Sequence, residues 1–147
     1  MKRLLLGVGN RLSGDDGIGP TVASRLTTEP WIAVDCGTAI ENASGIVSRE
    51  RPDLLVVVDA ARMGLEPGSI RRLPITSDDR MLASTHGLPL SFVLERLADS
   101  VGKVVLIGVE PESLVLGEGL SEAGSKAVDE LLAILAEGAI DRLELLA

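Results

Sequence analysis

Asp53-Leu54-Leu55-Val56-Val57-Val58-Asp59 is a short, branched, apolar run bounded by two carboxylates. It shows no polar–apolar alternation, which is the pattern of a strand buried on both faces. Residues 3–9, 31–36 and 103–109 read the same way. Between these runs lie amphipathic stretches with helical spacing, Ile18 to Leu26, Ile40 to Arg51, Leu88 to Leu97 and Glu122 to Leu135. Pro52 helps to end the second, and Ser121 stands where an N-cap would start the last, with Glu122 in its first turn. The alternation predicts an α/β three-layer sandwich. Its mostly parallel, twisted central sheet has about five strands, with helices on both faces.

One segment breaks the alternation. Gly64-Leu65-Glu66-Pro67-Gly68 is turn chemistry, and Ser69 to Ile75 then reads as a strand with no helix before it. An edge or antiparallel strand is expected there, with Arg71 and Arg72 on a solvated face. No repeat, low-complexity tract or linker divides the chain, so residues 1–147 read as a single domain.

Composition narrows the function classes. Trp31 and Phe92 are the only aromatic residues, and the net charge is −8. Nucleic-acid binding would need stacking partners and a basic footprint, so it is excluded. Met1-Lys2-Arg3 followed by Leu4-Leu5-Leu6 imitates a signal peptide, but the apolar run is too short for one. No stretch approaches the length of a membrane span. Cys36 is the single cysteine, and a reducing, cytoplasmic setting is the simpler expectation. No apolar surface stripe stands out, so a monomer is expected.

Ligands of open α/β sheets bind outside the carboxyl ends of the parallel strands. Asp15 and Asp16 follow the first strand, Asp35 ends the second and Asp59 ends the third. His86, the only histidine, precedes the helix starting near Leu88 and can face the same crevice. One imidazole and two carboxylates from separate junctions suit a borderline divalent ion with open positions. Structural readings remain alongside. Asp15 or Asp16 would also suit the cap of the helix beginning near Gly17. Asp59 could satisfy a strand-end hydrogen bond, and a lone histidine is usually structural. Cys36 sits beside Asp35, whose charge opposes a thiolate, so a buried small residue is the better reading. Dinucleotide binding is rejected. Gly7-x-Gly9 lacks its third glycine, because position 12 is Leu12, and Asp15-Asp16 would repel a pyrophosphate.

Taken together, the motifs resemble those of the NiFe-hydrogenase maturation endopeptidases. The matching segments are Gly7 to Pro20, Asp35-Cys36-Gly37-Thr38-Ala39-Ile40-Glu41-Asn42, Val58-Asp59-Ala60 with Met63 to Gly68, Ser84-Thr85-His86-Gly87-Leu88-Pro89-Leu90, and Gly108-Val109-Glu110-Pro111. They run in matching order from residue 4 to about 130. They are most similar to the branch serving formate-hydrogenlyase-type (hydrogenase 3) and related archaeal hydrogenases. Cys36 stands where the family commonly has glycine or alanine, and Glu112 to Gly119 departs from its pattern.

The resemblance implies a cytoplasmic aspartyl-type endopeptidase. It would remove the C-terminal extension of a NiFe-hydrogenase large-subunit precursor once nickel has been inserted. Asp16, Asp59 and His86 match the nickel-binding, catalytic positions, while Asp35, Gly37 and Thr38 match a loop linked to substrate recognition. The nickel would be substrate-borne and bound transiently, with no organic cofactor. The alternatives are a nickel-binding chaperone or sensing module that does not cut, and a catalytically silent domain whose acids only cap helices.

Overall fold

The computed structural model describes residues 1–74 and 95–146. Its strands are β1 (Arg3–Gly7), β2 (Trp31–Asp35), β3 (Leu54–Ala60), β4 (Ile70–Leu73) and β5 (Lys103–Val109). Among the described residues, its helices of about two turns or more are α1 (Ile18–Arg25), α2 (Ser44–Glu50) and α3 (Glu122–Glu137). The strands form one sheet in the order β2-β1-β3-β5-β4, parallel except where β4 runs antiparallel to β5.

The branched runs sit where their composition demands. Leu5 pairs in register with Val56, and Val56 with Val105. Leu5, Val56, Val58, Val105 and Ile107 point to one layer, where they pack with Ile18 and Val22 of α1 and Leu131 and Leu135 of α3. Leu4, Leu6, Leu55, Val57 and Leu106 point to the other, with Ala43 and Val47. Successive residues of a strand face opposite ways, so helices on both sides require an unbroken apolar run.

Local chemistry sets the helix ends. Pro20 lies in the first turn of α1, where a missing N–H costs nothing. Arg51 closes α2 in the left-handed region, with φ 45° and its N–H on Val47 O at 2.9 Å, just before Pro52. Ser121 caps α3 by accepting from Gly124 N at 2.9 Å. Gly138 ends that helix at φ 69°, with Ala139 N donating to Ile134 O at 2.9 Å. Trp31 Nε1 donates to Leu135 O at 3.0 Å and ties β2 to the end of α3.

One expectation changes. Arg71 and Arg72 are half-buried rather than solvated, because the C-terminal segment lies along β4. Arg72 N donates to Glu144 O, Leu146 N to Arg72 O and Arg72 Nε to Leu143 O, each at 2.8 Å. An edge strand's open N–H and C=O groups need such partners. The helix expected over Leu88 to Leu97 lies mostly outside the described residues; 95–97 are helical and lead into a 3-10 turn, Ala98–Ser100. No helix among the described residues is long and apolar enough to cross a membrane.

Helix α1 meets the sheet backbone to backbone. A Cβ on Gly19 would lie 2.5 Å from both Val8 O and Val58 O, and one on Gly7 would collide with Gly19 O. Gly19→Ala is therefore expected to cost at least about 2 kcal/mol by overpacking. Gly45→Ala, in α2 with nothing within 4 Å of an added Cβ, should instead stabilise by about 0.5–1 kcal/mol. Urea unfolding of the two variants beside the parent measures both.

Candidate active site

The carboxyl edge is built by three loops that bond to one another. Beyond β1, Val8 N donates to Val58 O at 2.9 Å, so the chain stays on β3 for one more residue. Gly9 N then donates to Gly37 O at 2.7 Å, and Cys36 N to Gly7 O at 2.9 Å, which joins the loops after β1 and β2. Gly9 has φ 146°, and a Cβ there would collide with Asp16 O. The loop can fold back over the 3-10 turn Gly14–Gly17 only because position 9 is glycine.

That turn carries adjacent carboxylates with different surroundings. Asp16 is 5% exposed, and its Oδ2 accepts from Asn10 N at 3.0 Å. Asp59, the penultimate residue of β3, is 1% exposed. The turn packs against β3, whose Val58 is paired with Gly7 at the end of β1. Asp59 thus lies at the carboxyl end of β3 and Asp16 in the turn packed against that strand, both under cover. Burying a carboxylate is expensive, so a pair of them at one edge is chemically suited to a cation.

Asp35, Gly37 and Thr38 form a more open rim. Asp35 Oδ1 accepts from Gly37 N at 2.9 Å, which shapes the loop, and Gly37 takes φ 58°. Arg11 Nε meets Asp35 Oδ2 at 3.0 Å, and its Nη2 donates to Pro20 O at 3.2 Å. The pair is half-exposed and contributes little to stability. Thr38 is exposed on the rim. His86 lies outside the described residues. Among the described residues, no group of three or more His, Cys, Asp or Glu side chains is arranged to hold a metal.

Asp15 behaves otherwise than its position suggests. It does not cap the helix that follows it. Its Oδ1 accepts from Ser121 N at 2.8 Å, and its Oδ2 from Ser121 Oγ at 2.7 Å and Glu112 N at 2.8 Å. One buried carboxylate thus joins the loop after β1, the loop after β5 and the start of α3. Gly124 leaves room for it, since a Cβ there would collide with Asp15 Oδ1. The sequence held only the cap itself as a signal, because Ser121 lies 106 positions away.

Glu110 is a further buried acid, one to which the sequence alone assigned no role. Its Oε1 accepts from Met63 N at 2.7 Å and Leu65 N at 3.0 Å, fixing the loop that follows Asp59. Its place in the Gly108-Val109-Glu110-Pro111 strand exit was the available clue. Cys36 is buried among Leu4, Leu6, Val8 and Ile40. Burial, and then the charge of Asp35, push its thiol from 9.0 up to about 12, which leaves it a packing residue.

The sequence pattern of the hydrogenase maturation protease family matches residues 20–137. The hydrogenase 3 maturation protease of Escherichia coli K12 is 37% identical over 116 residues, covering 76% of this chain and 74% of that protein. The solution structure of the endopeptidase HycI from Escherichia coli superposes with a TM-score of 0.90 at 31% identity, covering 100% of this chain and 97% of that one. The crystal structure of a NiFe-hydrogenase maturation protease HycI from Thermococcus kodakarensis gives 0.83 at 33% identity, covering 94% and 92%.

Asp15→Ala strands the donors of Ser121 and Glu112, and should cost about 3 kcal/mol in urea unfolding. Ser121→Ala should add much less on top of it than alone, because the two share one network. The thiol generates a pH effect with a defined sign. Below pH 9.0 it is protonated in folded and unfolded chains alike. Between pH 9.0 and about 12 the unfolded chain ionises first, so stability falls as pH rises. Comparing Cys36→Ala with the parent across that window isolates the effect; the variant should lose less stability.

Proposed function

The chain belongs to the hydrogenase maturation protease family, and from that premise we propose that it removes the C-terminal extension of a NiFe-hydrogenase large-subunit precursor after nickel insertion. The observation that carries this reading is the burial of Asp59 at the carboxyl end of β3 and of Asp16 in the turn packed against that strand. Two shielded carboxylates with an imidazole from the segment around His86 make a donor set that suits nickel.

In this reading the precursor brings the metal, held by its own cysteine thiolates, and Asp16, Asp59 and His86 complete the coordination. The ion polarises the scissile carbonyl or activates a water beside it. Water oxygen bonds to the carbonyl carbon, the C–N bond breaks, and a proton passes to the departing amine. Asp16 or Asp59 is the alternative general base for that water. Asp35, Gly37 and Thr38 contact the substrate from the rim. Three protein ligands alone hold nickel weakly, so the purified chain should carry no stoichiometric nickel. A cytoplasmic setting fits the single cysteine, and a monomer is the proposed state.

Incubation with a nickel-loaded precursor, followed by intact mass spectrometry, tests the reading. The precursor should lose the mass of its extension, and nickel-free precursor should remain whole. Asp16→Asn, Asp59→Asn and His86→Ala should each slow cleavage at least about 100-fold. An unchanged mass with the correct loaded precursor would overturn the proposal in favour of a nickel-binding module.

A further inference from the structure

Large, strongly exposed apolar side chains among the described residues include Leu12 (67% exposed), Val115 (56%) and Leu116 (73%). These three lie on one structural unit, an arm made from the loop after β1 and the loop after β5. Backbone bonds join its halves. Ser13 bridges antiparallel to Leu116, Gly117 N donates to Leu12 O at 2.6 Å, and Gly14 N to Glu118 O at 3.0 Å. Asp15 N donates to Ser113 O at 2.8 Å at the arm's root. Side chains stiffen it further. Leu12 N donates to Asn10 Oδ1 at 2.9 Å, and Ser113 Oγ to Glu118 Oε2 at 2.9 Å.

Scattered exposed leucines need no explanation. Three apolar residues on a hydrogen-bonded arm that continues directly into the turn bearing Asp16 do. We propose that this arm is the docking surface for the precursor polypeptide, with Leu12, Val115 and Leu116 receiving apolar side chains close to the bond to be cut. The proposal rests on the endopeptidase reading above.

The arm fits that occupant better than others. It is continuous with the candidate site, so a chain lying along it reaches Asp16 without a further segment. Its internal bonds order it before binding, which removes part of the entropic cost of association. Exposed Glu112 and Glu118 border the apolar residues, and the whole chain carries −8, so a second copy of the same chain is repelled.

The test is the double variant Leu12→Ser/Leu116→Ser, with Leu12→Met/Leu116→Met as its rescue. Binding of nickel-loaded precursor and its cleavage are measured separately, alongside thermal melting and sedimentation. The serine variant should melt like the parent, since both positions face solvent. KM and the precursor Kd should rise about tenfold or more, with kcat within about twofold, and methionine should restore them. If the parent cleaves and the serine variant keeps its KM, the docking proposal falls and the endopeptidase reading stands; self-association of the parent through these leucines with KM unchanged has the same meaning. If the parent binds without cleaving and serine abolishes binding, docking stands and the endopeptidase reading falls. If the parent neither binds nor cleaves a cognate precursor, both fall.

Discussion

The contact on which the rest of the molecule depends contains no side chains. Gly7 at the end of β1 and Gly19 in the first turn of α1 let the helix backbone rest on the carbonyls of Val8 and Val58. Any methyl group at this contact would lift the helix from the sheet. The turn before α1 would rise with it, and that turn carries Asp15 and Asp16. The closeness of helix and strand is therefore what keeps Asp16 covered at the edge where β3 delivers Asp59. Hydrophobic burial assembles the layers, but this steric fit decides how near the acids can come to the strand ends.

Asp15 and Asp16 are neighbours in sequence and do different things. Successive residues of a 3-10 turn are separated by roughly a third of a revolution. One carboxylate consequently faces the loop after β5 and the cap of α3, while the other faces the glycine loop and Asn10. The first is consumed by structure, its two oxygens between them engaged by donors of two other segments. The second stays near the crevice. Replacing either by the other's surroundings would require rebuilding the turn, so the Asp-Asp pair is better understood as a hinge of two functions than as a charge cluster.

Much of this fold was legible in the sequence because its strands are buried on both faces. Leu54 to Val58 and Val104 to Ile107 need no long-range information to be read as central strands. Ser121 as the cap of α3 was equally local, and so was the edge character of β4. Contacts made across the chain were not. Nothing near Asp15 signals a partner beyond residue 110, nothing near Arg72 signals the segment from Leu143 to Leu146, and Glu110 gives no hint of Met63 and Leu65. At the candidate site, Asp16, Asp35 and Asp59 were named from their positions at or beyond strand ends, which the topology brings to one edge, while Gly37 and Thr38 came only through resemblance. His86 was a candidate from its place before the helix near Leu88, and ordered resemblance strengthened it, since a lone imidazole has no periodicity to reveal a role.

The tie from Asp15 to Ser121 also has a consequence in time. A chain is synthesised from its N-terminus, so Asp15 and Asp16 exist long before their fixing partner does. Sequence-local helices can form early, whereas a loop of this length closes only after β5 has entered between β3 and β4. The turn that carries Asp16 therefore lacks its Ser121 tie until the start of α3 has been made and brought back across the sheet.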